Sequence, residues 1–406
     1  MPLESVVCVV GDNCSHCGYC DSDDTSFTYG LWAESLTCED YQALIDRGWR
    51  RSGCYLYKPN LRKSCCPQYT IRLDASRFKP TKSQKKVLNK FSRYIEGTWR
   101  PSAKEVGANE EDMDAVRERP STVNYNNEKA LADNLHVVED ASLDHLHKIK
   151  FELEPSSFTQ EKYDLYRKYQ EKIHHDEPDE LSEQGFRRFL VDSPLKRKEF
   201  AKGDLYGAGY GSYHQKYILD GKLIAVAVLD LLPKCVSSVY FMYDSDYAFL
   251  GLGKYSALRE ISLAQELHDN VSADLHWYYM GYYIHSCPKM VYKGSYQPSD
   301  LLDPETYSWY PIEDCKKLLD KKRYVAFSDP EGKQEEKDEE RMPGCLSVGE
   351  AKKVDVSKIM LSLGGDTFAP VSLVLQLNHS SRQLQKVIYE YIAAVGPDLA
   401  SRIAIA

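Results

Sequence analysis

The residues whose types and spacing suggest chemistry most directly are cysteines near the start of the chain. Cys14, Cys17 and Cys20 form two overlapping C-x-x-C pairs, and Cys65-Cys66 follow after 44 further residues. A C-x-x-C turn lets two thiolates face one metal, and a second pair from a distant loop completes tetrahedral ligation. We therefore predict a site for zinc or an iron–sulfur cluster formed by Cys17, Cys20, Cys65 and Cys66. Nearby residues expected to be ordinary structural side chains are Cys14, His16, Cys38 and Cys54.

Basic residues form two further candidate sites. Trp49-Arg50-Arg51 places two guanidinium groups beside an indole. This set suits the binding of a phosphate, a carboxylate or a stacked base. It equally suits a structural role, in which these side chains cover a surface of the cysteine-rich domain. Residues 77–93 carry seven basic and no acidic side chains. The apolar Val87, Leu88 and Phe91 give this stretch one apolar edge, so it predicts a basic amphipathic helix. Such a helix suits RNA, although a solvated helix face would have the same pattern.

Length and composition limit the classes of protein to consider. The chain has 406 residues, of which 42% are hydrophobic and 28% are charged, and its net charge is −9. This composition predicts a soluble protein of two or three domains, without a membrane partner or a DNA-coated surface. No apolar span or secretory signal is visible, so the twelve cysteines indicate a reducing compartment. We expect the cytoplasm, with the nucleus as a second location.

The elements that must position these residues centre on residues 206–268. Asp220-Gly221 separates the runs KYIL and KLIAVAVLDLL, which predicts a tight hairpin. The second run is almost entirely apolar and the following CVSSVYFMYD alternates weakly, so both strands are expected to be covered on two faces. Gly251-Leu252-Gly253-Lys254 then opens a helix. Its backbone amides can receive an anion, or the glycines can simply start the helix.

The order of these elements indicates an α+β fold. Hairpin, third strand, glycine loop and helix is the core order of GNAT-like acyltransferases. Periodicity predicts a further strand around Ile149, a helix with a tyrosine stripe that begins near Tyr163, and a C-terminal helix SRQLQKVIYEYIAAVG. We expect a cysteine-rich metal or cluster and RNA-contacting domain at 1–100, a linker at 101–140, the GNAT-like core at 141–345 and a helical extension at 346–406.

Several long motifs resemble those of the arginyl-tRNA–protein transferase family, the arginyltransferases of the N-degron pathway. The matching stretches cover most of the chain, and they are CGYC at 17–20, DYQALIDRGWRRSG at 40–53, CCPQYTIR at 65–72, FLVDSPL at 189–195, GSYHQKY at 211–217, LPKCVSSVYFMYD at 232–244 and YYIHSCPKMVYKG at 282–294. The resemblance implies an enzyme that moves arginine from arginyl-tRNA to the α-amine of proteins with N-terminal Asp, Glu or oxidised Cys. It also implies an iron–sulfur cluster, or alternatively zinc, at the four cysteines.

The resemblance further suggests roles for individual residues. His214 is a candidate base or orienting group, placed with Arg50 and Arg51 near the acceptor N-terminus. Additional cations for the acceptor are Arg259 and Lys289. Carboxylates for the arginyl guanidinium are Asp230, Asp244 and Asp246. Basic residues expected to contact tRNA are Lys82, Lys85, Lys86, Lys90 and Lys254.

Two other functions fit parts of the sequence. A GNAT enzyme that uses acyl-coenzyme A would share the glycine loop and the hairpin, and tight coenzyme A binding without a response to charged tRNA would identify it. A non-enzymatic, cluster-bearing RNA adaptor would bind RNA without acyl transfer.

Overall fold

The computed structural model describes residues 4–102, 105, 124–140, 142–203, 205–332, 341–365, 367–377 and 381–406. Half of the predicted linker, residues 103–104 and 106–123, lies outside these residues. The chain forms two compact units: unit one contains Met1–Leu73, Ser193–Lys198 and Tyr279–Ala406, and unit two contains Asp74–Asp192 and Glu199–Tyr278. The protein is an α+β protein. The predicted domain boundaries stay predictions.

Strands occur throughout the described parts of the chain. They are β1 (Ser5–Cys17), β2 (Ser22–Ser35), β3 (Arg50–Ser52), β4 (Tyr55–Pro59), β5 (Tyr69–Asp74), β6 (Ile149–Pro155), β7 (Lys198–Glu199), β8 (Gly209–Leu219), β9 (Lys222–Leu232), β10 (Cys235–Tyr243), β11 (Trp277–Tyr283), β12 (Ser299–Leu302), β13 (Trp309–Pro311), β14 (Met360–Ser362), β15 (Phe368–Pro370) and β16 (Ile403–Ile405).

The α-helices connect and cover these strands. They are α1 (Cys38–Ile45), α2 (Lys82–Glu96), α3 (Leu131–His136), α4 (Gln160–Tyr169), α5 (Glu183–Phe186), α6 (Leu252–Asn270), α7 (Pro288–Val291), α8 (Ile312–Leu319), α9 (Val348–Ala351), α10 (Val371–Leu377), α11 (Arg382–Val395) and α12 (Pro397–Ala400). Within the described ranges, no helix is long and apolar enough to span a membrane.

Unit one is organised around a long hairpin of β1 and β2. Its sheet has the order β15-β14-β16-β1-β2-β4-β3. The C-terminal strand β16 runs parallel to β1, with Ser5 opposite Ile403 and Val7 opposite Ile405. Strands with buried apolar residues need a partner on each open edge, and β16 supplies one for the start of β1. The C-terminal segment is therefore part of the framework that supports the N-terminal hairpin.

Unit two contains the predicted central hairpin. Leu219 pairs with Lys222, and the two intervening residues Asp220 and Gly221 have φ values of 50° and 83°. Positive φ at both positions is the geometry of a type I′ turn, which matches the right-handed twist of the strands. The hairpin prediction is confirmed. Neighbouring antiparallel strands follow the order β10-β9-β8-β6.

Strands β9 and β10 were both expected to be covered on two faces, but they differ in how deeply their residues are buried. In β9 every residue after Lys222 is buried, as predicted. In β10 the residues from Ser238 to Phe241 are only half-buried, so the prediction is wrong there. The phenol of Tyr240 donates a hydrogen bond to Gln170 Oε1 at 2.7 Å. Aromatic side chains with a polar tip favour such partly covered positions.

Two helices of unit two lie side by side. The basic helix α2 begins with a capping box between Thr81 and Gln84 and ends at Gly97, whose φ is 79°. These two signals stop the helix at both ends. The rings of Phe91 on α2 and Tyr255 on α6 stack with centroids 3.8 Å apart. The predicted amphipathic helix is confirmed, and its apolar edge packs against α6.

The tyrosine stripe of α4 is part of a core, as predicted. Tyr163 and Tyr166 pack with Val226, Val228 and Met242 in one buried cluster of unit two. The phenol of Tyr163 donates to Leu181 O at 2.7 Å, which satisfies its buried polar group.

Candidate metal centre and substrate-binding residues

A tight turn and a later loop bring the four predicted cysteines together in unit one. Cys17 ends β1, and the following turn is closed by a bond from Asp21 N to Cys17 O at 2.9 Å. The second pair is tied to β2, because Cys65 N donates to Thr25 O at 3.0 Å. A hairpin turn and a loop that is hydrogen-bonded to it therefore present two thiols each.

The geometry of the sulfur atoms fits a metal ion. The Sγ atoms of Cys17, Cys20, Cys65 and Cys66 all lie within 4.8 Å of one another, and those of Cys20 and Cys65 are 3.3 Å apart. Tetrahedral zinc–sulfur bonds of about 2.3 Å require sulfur separations of roughly 3.8 Å. All four cysteines are free thiols. The prediction that they form one group is confirmed, and this group can hold a metal.

Burial is uneven across the four thiols. Cys17 and Cys66 are buried beside Ile284 and Cys287, whereas Cys20 is exposed. Hydrogen bonding with Ser22 and then with Cys65 lowers the pKa of Cys20 to about 6. Burial raises the pKa of Cys66 well above its ordinary value. Thiolates are the form that binds metal, so Cys20 supplies the most accessible ligand.

The cysteine and histidine next to this turn have other surroundings. Cys14 is exposed on β1 and does not belong to the four-sulfur group. His16 bonds Asp23 through Nδ1 and Asp21 through Nε2, both at 3.0 Å. These placements agree with the expectation that Cys14 and His16 are not metal ligands.

Arg50 of unit one has an unusual environment for a cation. It is 6% exposed, and its Nη1 donates to Trp49 O at 2.6 Å and Ile45 O at 3.3 Å. Its guanidinium carbon lies 5.4 Å from the ring centre of Tyr279 and 5.3 Å from that of Tyr282. These partners are neutral, so none of them balances the positive charge of Arg50.

The two other basic candidates of unit one differ from Arg50. Arg51 is buried and donates from Nη1 to Gly53 O at 3.1 Å. Lys289 is exposed on the short helix α7. Their predicted role near the acceptor stays a prediction.

Lys293 is a cation that the sequence does not distinguish from its neighbours. Its Nζ donates to Tyr282 O at 2.9 Å. Burial and then the charge of Arg50 lower the pKa of Lys293 to about 7. In the sequence, Lys293 is one of several basic residues that follow a predicted strand. The spacing of residues along the chain does not indicate that Lys293 lies near Arg50.

His214 of unit two lies inside the protein. The side chain is fully buried, its Nε2 lies 2.9 Å from Leu190 O, and its Nδ1 lies 3.0 Å from Lys162 Nζ. The carbonyl and the ammonium group together select the neutral tautomer with the proton on Nε2. Both ring nitrogens are therefore occupied within unit two.

Arg259 is also paired inside unit two. Its Nη1 donates to Glu139 Oε1 at 2.8 Å, and its guanidinium lies 3.5 Å from the ring centre of Phe151. Glu139 in turn bonds His136 Nδ1 at 2.8 Å. This arrangement supplies a counter-charge for Arg259.

The three predicted carboxylates of unit two occupy two different environments. Asp230 is fully buried on β9 and accepts a hydrogen bond from Ser212 Oγ at 2.6 Å. Asp244 forms ion pairs with Lys168 and Lys222, and Asp246 forms one with Lys168. Burial alone would raise the pKa of Asp244, but these lysines hold it below its ordinary value.

The predicted tRNA-contacting lysines of unit two lie on α2 and in the first turn of α6. Lys82 and Lys86 of α2 and Lys254 of α6 are exposed. A Cβ on Gly251, which precedes α6, would lie 4.0 Å from the side chain of Val87 on α2. The basic helix and the glycine loop are thus direct neighbours. Two other lysines have partners: Lys85 bonds Asn127 and Lys90 bonds Glu105.

Comparison with known proteins places this architecture in a family. Family models described as "Arginine-tRNA-protein transferase, N terminus" and "Arginine-tRNA-protein transferase, C terminus" match residues 15–86 and 161–303. Arginyl-tRNA–protein transferase 1 of Drosophila melanogaster is 32% identical over 98% of this chain and 99% of its own. Arginyl-tRNA–protein transferase 2 of Arabidopsis thaliana is 34% identical over 80% of this chain and 78% of its own.

More distant similarity extends to a bacterial protein and to a solved structure. Aspartate/glutamate leucyltransferase of Pseudomonas savastanoi pv. phaseolicola is 27% identical over 70% of this chain and 89% of its own. L-PGS from Bacillus licheniformis covers 61% of this chain and 50% of its own at 13% identity, with a TM-score of 0.21, which is too low to support a fold assignment. The two family models and the nearly full-length similarity to the fly relative lead to one conclusion: this chain belongs to the arginyl-tRNA–protein transferase family.

Proposed function

We propose that the protein transfers arginine from arginyl-tRNA to the α-amine of proteins that begin with Asp, Glu or oxidised Cys, and so creates an N-degron for ubiquitin-dependent degradation. The observation that carries this proposal is the similarity to a named arginyl-tRNA–protein transferase along 98% of the chain. The name of the bacterial relative, aspartate/glutamate leucyltransferase, supports an acidic acceptor. Action in the cytoplasm and nucleus stays a prediction.

The proposed reaction depends on how the two substrates are positioned. It does not need a nucleophile from the protein. The arginyl ester of tRNA is already activated, and a neutral α-amine attacks its carbonyl carbon. An amide bond forms, the ester C–O bond breaks, and the tRNA 3′-terminal oxygen leaves with a proton. Bringing the two reactants together supplies much of the acceleration in such reactions. Residues that hold the tRNA backbone, the arginyl group and the acceptor therefore determine the activity.

We assign the tRNA contacts to unit two. The exposed Lys82 and Lys86 lie on the helix that packs beside the glycine loop, and Lys254 follows that loop. Ammonium groups and the positive end of α6 attract phosphate without sequence preference. The neighbouring positions of α2 and the loop support one shared surface for the tRNA backbone and its acceptor end. They also agree with a GNAT-like core, which stays a prediction.

We assign the remaining candidates more specific roles. Asp244 and Asp246 already pair with lysines, so binding the arginyl guanidinium would require a cation exchange in which Lys168 moves. The buried position of His214 supports an orienting role through Lys162 rather than direct proton removal from the acceptor.

We also propose that the four-cysteine group holds an iron–sulfur cluster, with zinc as the alternative occupant. Both use tetrahedral thiolate ligands. The four sulfurs all lie within 4.8 Å of one another, close to the separation of roughly 3.8 Å around a single tetrahedral ion such as zinc. An iron–sulfur cluster would require the cysteines to move farther apart. Analysis of anaerobically purified protein for iron, acid-labile sulfide and zinc distinguishes the two.

The test of the proposed function is a transfer assay. Purified protein is incubated with tRNA carrying labelled arginine and with a peptide that begins with Asp. We expect label in the peptide and a mass increase of one arginyl residue at its α-amine. Transfer from an acyl-coenzyme A alone would establish the GNAT alternative, and tRNA binding without any labelled peptide would establish the adaptor alternative. Either result contradicts the proposal.

A further inference from the structure

Lys58 of unit one is a buried cation without a carboxylate partner among the described residues. It lies on β4, is 4% exposed, and donates from Nζ to Tyr307 Oη at 2.6 Å and to Cys345 Sγ at 3.4 Å. Burial alone would lower the pKa of Lys58, but the neighbouring Cys345 and Tyr307 raise it above its ordinary value. Lys58 therefore stays charged, and a buried charge is costly unless an anion balances it.

Cys345 is the neighbour of Lys58 that can supply this anion. The hydroxyl of Tyr307 donates to Gly344 O at 2.6 Å, and burial raises its pKa, so Tyr307 keeps its proton. The thiol of Cys345 has only a long bond, to Ala394 O at 3.7 Å. Thiols lose a proton more readily than phenols, and an adjacent lysine stabilises the thiolate. The contact with Lys58 therefore favours a thiolate at Cys345.

A second buried cysteine of unit one shows what the lysine adds. Cys315 of α8 also donates to a backbone carbonyl at 3.7 Å, that of Tyr310, and it is likewise almost fully buried. Burial, and then the negative charge of Asp314, raises the pKa of Cys315 to about 12. Cys315 therefore stays a neutral thiol, and it is an internal reference for Cys345.

A cavity of about 530 Å³ in unit one is lined by Cys345 and by Tyr29 of β2. Tyr29 is 4% exposed, and its hydroxyl has no hydrogen-bond partner among the described residues. Burial, and then the charge of Glu390, raises the pKa of Tyr29, so its hydroxyl remains a donor. A buried donor without an acceptor is costly, and a ligand oxygen in the cavity would supply the acceptor.

Charged side chains of both signs line the same cavity. Lys63 and Arg341 are positive, and Asp12 and Glu390 are negative; Lys63 and Asp12 are exposed. Charges of both signs suit a ligand that itself carries ammonium and carboxylate groups. The volume lies within the range of small-molecule sites, about 300–1,000 Å³. A short zwitterionic peptide has both the size and the charges that this cavity can accept.

We propose that Cys345 is a covalent modification site, and that its thiolate exchanges with a small zwitterionic peptide disulfide held in this cavity. The sulfur of Cys345 attacks one sulfur of the disulfide, and a new S–S bond forms as the old one breaks. Cys345 is oxidised, and the departing half of the ligand is reduced and takes a proton from water. The cavity contains none of the four grouped cysteines, and the exchange does not depend on the proposed transfer of arginine.

Peptide mapping by mass spectrometry tests this proposal on the native protein. Full-length, metal-loaded protein is incubated with oxidised glutathione, a zwitterionic peptide disulfide, and the exchange is stopped with acid after several intervals. We expect mixed disulfide on Cys345 to form about tenfold or more faster than on the exposed Cys14, and none to form on Cys315. The rate at Cys345 should reach a plateau as the concentration of oxidised glutathione rises, because the ligand binds before it reacts.

Two substitutions separate the thiolate from the cavity, with iodoacetamide as a small electrophile that needs only the thiolate. Lys58→Met removes the ammonium group and should slow the reactions of Cys345 with both reagents about tenfold or more, whereas Lys58→Arg should retain both rates. Tyr29→Phe removes only the hydroxyl. It should raise the concentration of oxidised glutathione that gives the half-maximal rate about threefold to tenfold, and leave the iodoacetamide rate unchanged.

The control is Lys317→Met, which removes an exposed lysine of α8 that pairs with Asp314 and should change none of these rates. Circular dichroism checks the folding of every variant. The proposal is overturned if Cys345 of the native protein reacts no faster than Cys14, or if its rate shows no plateau. It is also overturned if folded Lys58→Met reacts as the native protein does, or if Tyr29→Phe leaves the half-maximal concentration unchanged.

Discussion

His214 is a buried imidazole that belongs to a network of buried polar groups. Nδ1 receives the Lys162 ammonium, which is itself almost completely buried, and Nε2 faces a carbonyl. The partner that balances Lys162 is Glu154, at 2.6 Å. Lys162 and Lys216 hold the pKa of Glu154 at about 2, although burial alone would raise it. This chain of polar contacts is satisfied only when every member is present.

We predict that His214→Ala is destabilising. Loss of the ring leaves a cavity and removes one partner from a buried ammonium group, which together should lower the free energy of unfolding by about 2–4 kcal/mol. Urea unfolding followed by circular dichroism measures this change. Transfer activity, normalised to the folded fraction, then tests the catalytic prediction: an unchanged value excludes His214 as the base.

His136 gives unit two a pH-dependent contribution to stability. Its ring nitrogens bond Glu139 at 2.8 Å and Glu266 at 3.2 Å, and these bonds raise its pKa to about 9. An unfolded histidine has a pKa of about 6.5. The folded state therefore binds the proton more tightly, so the stabilisation is complete below pH 6.5 and disappears as the pH rises through 9.

We predict that His136→Gln destabilises the protein most near pH 6 and progressively less toward pH 10. Urea midpoints of the native protein and the variant, measured across this range, report the difference. A difference that stays constant with pH would show that His136 contributes by packing and neutral hydrogen bonds alone. His16, which is exposed and paired with Asp21 and Asp23, provides a matched His16→Gln control of small effect.

At the scale of elements, α2 has one buried apolar edge and one exposed, positively charged edge. Leu88, Phe91 and Ile95 are buried, whereas Lys82 and Lys86 are exposed. The capping box fixes where the helix starts, and the stack of Phe91 on Tyr255 fixes which edge faces solvent.

We predict that Lys82→Gln/Lys86→Gln weakens tRNA binding without affecting folding. Each lost phosphate contact should lower the slope of log affinity against log salt by about one unit or less. Fluorescence anisotropy with labelled tRNA at several salt concentrations measures both the affinity and the slope. A matched control, Lys316→Gln/Lys317→Gln on α8, removes the same charge elsewhere. Equal effects of the two double variants would contradict a specific role for α2.

At the scale of the whole molecule, the four-cysteine group joins two distant segments of the chain. Its thiols come from segments separated by 44 residues, so a metal bound to all four would close a long loop. Any ligand that binds only the folded state stabilises it by mass action.

We predict that Cys20→Ser/Cys65→Ser loses the bound metal and lowers the free energy of unfolding by about 3–4 kcal/mol, as expected when free metal exceeds its dissociation constant by roughly 100- to 1,000-fold. Elemental analysis and thermal unfolding measure the two effects. Cys14→Ser, which alters an exposed thiol outside the group, should change neither. Metal content that stays the same in the double variant would contradict the assignment of the ligands.

The sequence by itself determined the features that depend on neighbouring residues or on regular spacing. Asp220-Gly221 specifies a tight turn because both positions tolerate positive φ, and the apolar spacing of α2 specifies one buried edge. The C-x-x-C pair and the adjacent cysteines predicted a four-thiol group that can hold a metal, because such closely spaced cysteines are typical of metal ligands.

Only the tertiary structure decided which charges have partners. Arg259 meets Glu139 and His214 meets Lys162, although more than 50 residues separate each pair along the chain. Arg50 and Lys293 approach each other through the backbone around Gly281 and find no carboxylate among the described residues. Pairing of charges depends on distances in space, which the spacing of residues along the chain does not encode. The distinction between a balanced cation and an unbalanced one therefore appears only once the chain is folded.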